Sequence, residues 1–176
     1  MPIPTLETER LILRMFRQDD LGAYAAISAD VEVMRYLGDG KPLARPDTWR
    51  QIAMILGHWQ LRGYGLFALE EKATGALVGR AGFFEPEGWP GFELGWMLRR
   101  ASWGQGYATE AARRLLAHAF TDMKRERVIS LIRAANAPSI RVAERLGERL
   151  DGRAEIFGQD ALVYAIDRAG WRAQKS

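Results

Sequence analysis

Three short stretches carry the kinds of groups that reactions use. In FELGWML a lone glutamate, Glu93, alternates with small and apolar residues. As a strand, this stretch sets Phe92, Leu94, Trp96 and Leu98 on one face and Glu93, Gly95 and Met97 on the other. A carboxylate in such surroundings loses hydration, so its pKa rises toward the working pH, as a general base requires. The same residue also reads as a structural carboxylate bonded to a backbone donor or an arginine. In SWGQGYATEAARR, Gly104 and Gly106 stand directly ahead of an amphipathic helix pattern. The first N–H groups of a helix lack internal partners and carry the positive end of its dipole. Glycine lets the backbone curl until those groups converge on an anion. A tight strand-to-helix connection is the plainer reading of the same glycines. In NAPS, Ser139 suits a helix cap and Asn136 suits the backbone groups at a strand end.

Composition narrows the chemistry. The 176 residues include no cysteine, which removes disulfides and thiolate mechanisms. The two histidines, His58 and His118, lie far apart, so no metal site is expected. A net charge of +3, from 25 basic and 22 acidic residues, suits a polyanionic ligand but is too balanced to indicate nucleic acid. No run is long enough to cross a membrane, and MPIPTLETERL lacks the basic start and apolar core of a signal peptide. These features imply one cytoplasmic domain over residues 1–176, without metal, membrane or nucleic acid.

The elements that must position these groups follow from periodicity. RLILRMF is a strand, and QDDLGAYAAISAD a helix with Asp19 or Asp20 as its cap. Residues 36–46 are a loop. Trp49, Ile52, Ala53, Leu56 and Trp59 then recur at helical spacing up to Gly63. YGLFALEE and ALVGRAGFFE pair as a hairpin, and the Glu93 strand follows EPEGWPG. Ala111, Ala112, Leu115, Leu116, Ala119, Phe120 and Met123 define one face of the next helix. RVISLIRAAN is a buried strand, Pro138 opens a helix closed by Gly147, and DALVYAID is the last strand before a polar tail. The order β-α-α-β-β-β-α-β-α-β predicts a mixed α/β sheet.

The glycine turn fails two phosphate motifs. It lacks the Gly-Lys-Ser/Thr of a P-loop, and a dinucleotide fingerprint needs glycine at Thr109 and an acid where Asn136 stands. WGQGYATEA, preceded by FELGWML and followed by NAPSIRVAERLG, instead resembles the GNAT acetyltransferases, especially their RimJ/RimL-like branch. The resemblance runs from TERLILR to VYAID. It implies a mostly antiparallel central sheet of about six to seven strands flanked by about four helices. It also implies acetyl transfer from acetyl-CoA to a primary amine, by direct attack in a ternary complex. The acceptor would be a protein N-terminus or a small molecule. On this resemblance the amides from Gly104 through Gln105, Gly106, Tyr107 and Ala108 to Thr109 hold the CoA pyrophosphate, next to Trp103. Glu93 accepts the amine's proton, and a backbone N–H near Met97 or Leu98 polarises the thioester. Asn136 and Ser139 are the candidates for coenzyme contact and for help to the leaving sulfur. Both aromatics, Trp103 and Tyr107, also read as packing anchors.

Three positions depart from the superfamily pattern, one of them, Trp103 in place of Gln or Arg, resembling the habit of the RimJ/RimL-like branch. Ala143 stands where many members have a tyrosine acid, and Glu148 replaces the usual phenylalanine after Leu-Gly. Arg141 and Arg145 reach either CoA phosphates or water. The acceptor pocket is expected from residues 36–46, Trp49, Trp59 and EPEGWPG, with Glu85 and Glu87 to attract a cation. An exposed strand edge near the C-terminus suits a homodimer. A non-catalytic acyl-CoA sensor of the same fold, or a nucleotide-binding domain, are the rival readings.

Overall fold

A computed structural model describes residues 3–174. Chain order runs β1 (Leu6–Glu7), β2 (Leu11–Arg14), α1 (Leu21–Ser28), α2 (Val31–Met34), α3 (Arg45–Arg62), β3 (Leu66–Glu71), β4 (Leu77–Phe84) and β5 (Glu93–Leu98). It continues with α4 (Tyr107–Ala117), β6 (Arg127–Ile132), α5 (Ala137–Arg145), β7 (Arg149–Ile156), β8 (Gln159–Asp167) and α6 (Arg168–Ala173). The strands form one sheet in the order β1-β2-β3-β4-β5-β6-β8-β7. All neighbours are antiparallel except β5 and β6, which run parallel.

The predicted class is correct, and its counts are low. Among the described residues there are eight strands and six α-helices. One strand missed by the sequence reading is β7, an edge strand largely exposed along its length, so no alternation of polar and apolar residues marks it. The polar tail contains α6, whose carboxylate cap Asp167 accepts from the Gly170 N–H at 2.6 Å. None of the described helices is long and apolar enough to cross a membrane.

Register separates the two faces of the sheet. Arg80, opposite Met97 on β5, lies on the face of Tyr24 of α1, on whose hydroxyl its charge acts. Trp96, opposite Ala81, lies on the other face, where its indole N–H meets Ser139 of α5. The predicted stripe is buried, from Ala111 in α4 to Phe120 in the π-helical turn that follows it (His118–Asp122), with Met123 partly so. That of α3 is rotated. Thr48, Ile52, Ile55 and Trp59 face inward, while Trp49, Ala53 and Leu56 face outward. Both sets satisfy a 3.6-residue period, and sheet packing selects between them.

Asp20 occupies the N-cap position of α1, but its side chain makes no cap bond to the helix. Its two oxygens accept both terminal nitrogens of Arg14 at 2.8 Å, and one also accepts the Arg17 N–H. Arg14 bonds Glu70 on β3 as well, at 2.6 Å, so a buried charge cluster fastens α1 to the sheet. Removing one partner strands the other, which costs about 3–5 kcal/mol for a fully buried pair. Asp20→Ala is expected to lower unfolding free energy by about 3 kcal/mol in urea titration, because Glu70 still partners Arg14; a loss below about 1 kcal/mol would contradict the cluster's role.

Candidate active site

The site is built where two parallel strands meet once and part. β5 and β6 pair only at Glu93 and Ile129, with the Ile129 N–H donating to the Phe92 carbonyl at 3.0 Å. One residue on, the next contact is made by a side chain: the Ser130 hydroxyl reaches the Leu94 carbonyl at 2.9 Å. Beyond it the strands diverge.

Alternation assigns the amides along the opening. Arg99 donates its N–H to Val78 on β4, so odd-numbered residues of β5 turn toward β4. The carbonyls of Leu94 and Leu98 instead accept from Ser130 and from the Trp103 indole. Leu94, Trp96 and Leu98 therefore present their backbone groups to the opening. Of the two positions expected to polarise a carbonyl, Leu98 has its amide on this side and Met97 has it on the β4 side.

Glu93 sits at the vertex, half-buried on the α1 face. The Trp89 indole N–H donates to its Oε2 at 2.7 Å, and Phe84 lies opposite it on β4. Burial drives its pKa up, while the Trp89 donor, the Arg80 charge and the Leu131 amide draw it back, leaving it at about 7. A carboxyl half-ionised at neutral pH can take a proton and give it away again.

Across the opening, α5 is capped by Asn136, whose side-chain oxygen accepts the Ser139 N–H at 3.3 Å. The cap is therefore Asn136, and Ser139 is free for another role. Its hydroxyl oxygen accepts from Trp96, which leaves the hydroxyl proton for a further acceptor.

The glycine turn has the conformation its composition demands. Gly104 and Gly106 adopt φ of 74° and 81°, in the left-handed region. The first helical residues of α4, Tyr107, Ala108 and Thr109, receive no side-chain cap at Gly106. Residues 103–106 are exposed, and Arg99 and Arg100 precede them. Trp103 ties the turn to the end of β5 through its 2.9 Å bond to Leu98, and Gln105 folds back on the Ala101 carbonyl. Tyr107 is buried, donates to Glu71 and is covered by Arg10. Glu110 anchors the same end, accepting from Thr8 and Arg10 at 2.6–2.9 Å. Open amides with adjacent cations form a donor set suited to a diphosphate.

The expected acceptor pocket is only partly assembled. Trp89 and Phe84 flank Glu93, and Phe157 of the β7–β8 turn reaches Trp89 at 5.7 Å between ring centres. Trp59 is core instead, its indole bonded to Leu66, and Trp49 is half exposed on the outer side of α3. Glu85 accepts from Tyr64, and Glu87 lies in solvent beside Arg62. The sequence reading passed over Trp89 as a partner of Glu93 and gave no role to Glu148. Glu148 is only 2% exposed and bonds Ser130 at 3.1 Å.

A sheet opened at one parallel pair, beside a helix with an uncapped glycine start, is the arrangement that the resemblance to acyl-CoA-dependent acetyltransferases leads one to expect. Comparison with known proteins agrees. The model of the acetyltransferase (GNAT) domain matches residues 10–149, so this chain belongs to the GNAT acetyltransferase family. It is 34% identical to the uncharacterized protein YkkB of Bacillus subtilis, over 90% of this chain and 93% of that one. The crystal structure of an acetyltransferase from Agrobacterium tumefaciens is 35% identical, with a TM-score of 0.83 over 94% of this chain and 95% of that one. Mycobacterium smegmatis RimJ, solved with CoA-disulfide, is 22% identical and shares the fold (TM-score 0.80, covering 95% and 88%). Structures with higher identity bear general acetyltransferase names, so the family is shown and its RimJ/RimL-like branch is not.

Carboxyl-carbon NMR is expected to place the Glu93 midpoint near pH 7. Trp89→Phe removes a donor to the ionised form and is expected to move that midpoint higher; a midpoint near 4.5 in both proteins would contradict the environment described.

Proposed function

We propose that this protein is an N-acetyltransferase that carries an acetyl group from acetyl-CoA to a primary amine by direct attack within a ternary complex. The observation that carries the reading is Glu93: a carboxyl poised near neutrality at the mouth of the strand opening. The amides of residues 104–109 hold the diphosphate, with Trp103 fixing the turn. The pantetheine arm enters between β5 and β6, where Trp96 and Leu98 offer backbone partners. The Leu98 amide polarises the thioester carbonyl; Asn136 positions Ser139, whose hydroxyl proton faces the departing sulfur. The Glu93 carboxylate takes the proton of the attacking ammonium, directly or through water. No nucleophilic side chain is needed, because a free amine attacks a thioester unaided.

The acceptor is a protein N-terminus, in keeping with the RimJ/RimL-like branch, or a small amine. The free edge of β7 is where a second copy would dock. Thiol release from acetyl-CoA across a panel of amines and N-terminal peptides tests the reading; coenzyme binding with no release would indicate a sensor.

Glu93→Gln is expected to lower turnover on the order of a hundredfold at pH 7, with a smaller deficit near pH 10, where the amine sheds its own proton. The wild-type rate rises through about pH 7 as Glu93 ionises. An equal loss at every pH would make Glu93 structural. Gly106→Val, at a φ of 81°, is expected to abolish CoA binding in calorimetry; a folded variant with unchanged affinity would remove the cradle.

A further inference from the structure

The hairpin at the edge of the sheet turns on an ill-suited residue. β7 and β8 pair as far as Ile156 and Gln159, so only Phe157 and Gly158 connect them. Both lie in the left-handed region, with φ of 52° and 68°, as a two-residue hairpin turn of this hand requires. Glycine meets that demand freely, and asparagine meets it with little penalty. A phenylalanine there sets its Cβ against its own backbone. Burial does not offset the cost, because Phe157 is 62% exposed.

What holds the turn comes from outside it. The Arg133 guanidinium, just past the end of β6, donates to the Ile156 and Asp160 carbonyls on either side of the turn at 3.4–3.5 Å. The same guanidinium donates to the Gly38 carbonyl at 2.9 Å. A strained backbone persists only where its surroundings over-determine it, and such residues gather at ligand sites.

The ring lies one side chain away from Glu93. Its centre is 5.7 Å from that of Trp89, with the planes at 60°. Phe84 meets Trp89 from β4 at 5.2 Å and 82°. The Trp89 indole N–H is already given to Glu93 at 2.7 Å. These rings therefore make one apolar wall that begins beside the Glu93 carboxyl and ends at the exposed tip of the hairpin. An amine whose proton goes to Glu93 lays its substituent along this wall, and apolar surface is what gains by covering it.

We propose that Phe157 is a specificity-determining residue of this protein: with Trp89 and Phe84 it forms the subsite that selects primary amines carrying a large apolar group next to the amino group. This rests on the acetyl-transfer reading above, with Glu93 as the point where the ammonium arrives. Phe157 is then kept at the turn for the acceptor it touches and not for the fold. Two sources offer this chemistry: an N-terminal residue with a large apolar side chain, and a small arylalkyl amine.

Phe157→Asn separates the two roles, because asparagine suits the left-handed turn and removes the ring. Rates of thiol release from acetyl-CoA are compared for two matched pairs: peptides beginning with phenylalanine or glycine, and phenylethylamine or ethylamine. The wild type is expected to favour the apolar member of at least one pair by about tenfold in kcat/KM, and the pair that shows it names the source. Phe157→Asn is expected to lose that preference through the acceptor KM and not through kcat, while Phe157→Tyr keeps it. In urea titration the asparagine variant is expected to unfold at no lower concentration than the wild type, because its turn is relieved of strain. A wild type without the preference, an unchanged preference in Phe157→Asn, or a lower unfolding midpoint in that variant would overturn the proposal alone. No thiol release by the wild-type protein with any amine would overturn both readings.

Discussion

The site depends on one pairing that is made and then abandoned. Among the described residues β5 and β6 are the single parallel neighbours in the sheet, and they pair at Glu93 and Ile129. Parallel strands that stayed together would bond every amide along β5 and fill the interior with side chains. Parting after one pair leaves the backbone of Trp96 and the amide of Leu98 without a strand partner on that side. It also brings carboxyls of opposite faces within electrostatic reach of each other. Glu93 lies beside Trp89 and Arg80, and its charge helps to raise the titration of Glu148, which bonds Ser130.

The rest of the structure holds the opening in shape. Ser130 bonds Leu94 where a strand partner would otherwise sit, so a side chain closes the vertex. At the far end Trp103 occupies the Leu98 carbonyl and fixes the glycine turn to the strand it follows. Tyr107, Glu110, Arg10, Thr8 and Glu71 form a bonded group that anchors the start of α4 to the first strands and β3. The amides of that helix start are left open while its side chains are committed. Rigid support beneath an unfilled donor set is what a charged ligand requires for binding without reorganisation.

Much of this was legible in the sequence because it is local. Glu93 stood out as the lone acid in a strand of alternating residues. Gly104 and Gly106 marked a left-handed turn, and Pro138 and Gly147 bracketed α5. Non-local choices were not legible. Two stripes on α3 fit the helical period, and only packing on the sheet buries Ile55 and exposes Trp49. Glu148 reads as a surface acid after a glycine; its burial depends on Ser130 and Leu94, which lie 18 residues or more away in the chain. Trp89 is four residues from Glu93, but a turn must form before its indole can reach the carboxyl. Ser139 and Asn136 were both readable as polar groups at a helix start, and the three-residue geometry gives the cap to Asn136.

The most direct measurement is a crystal structure grown with acetyl-CoA. The diphosphate is expected within hydrogen-bond distance of main-chain nitrogens in residues 104–109, with the thioester lying between β5 and β6 beside Leu98. A coenzyme bound elsewhere, or a β5–β6 opening still closed to it, would contradict the placement of the whole site.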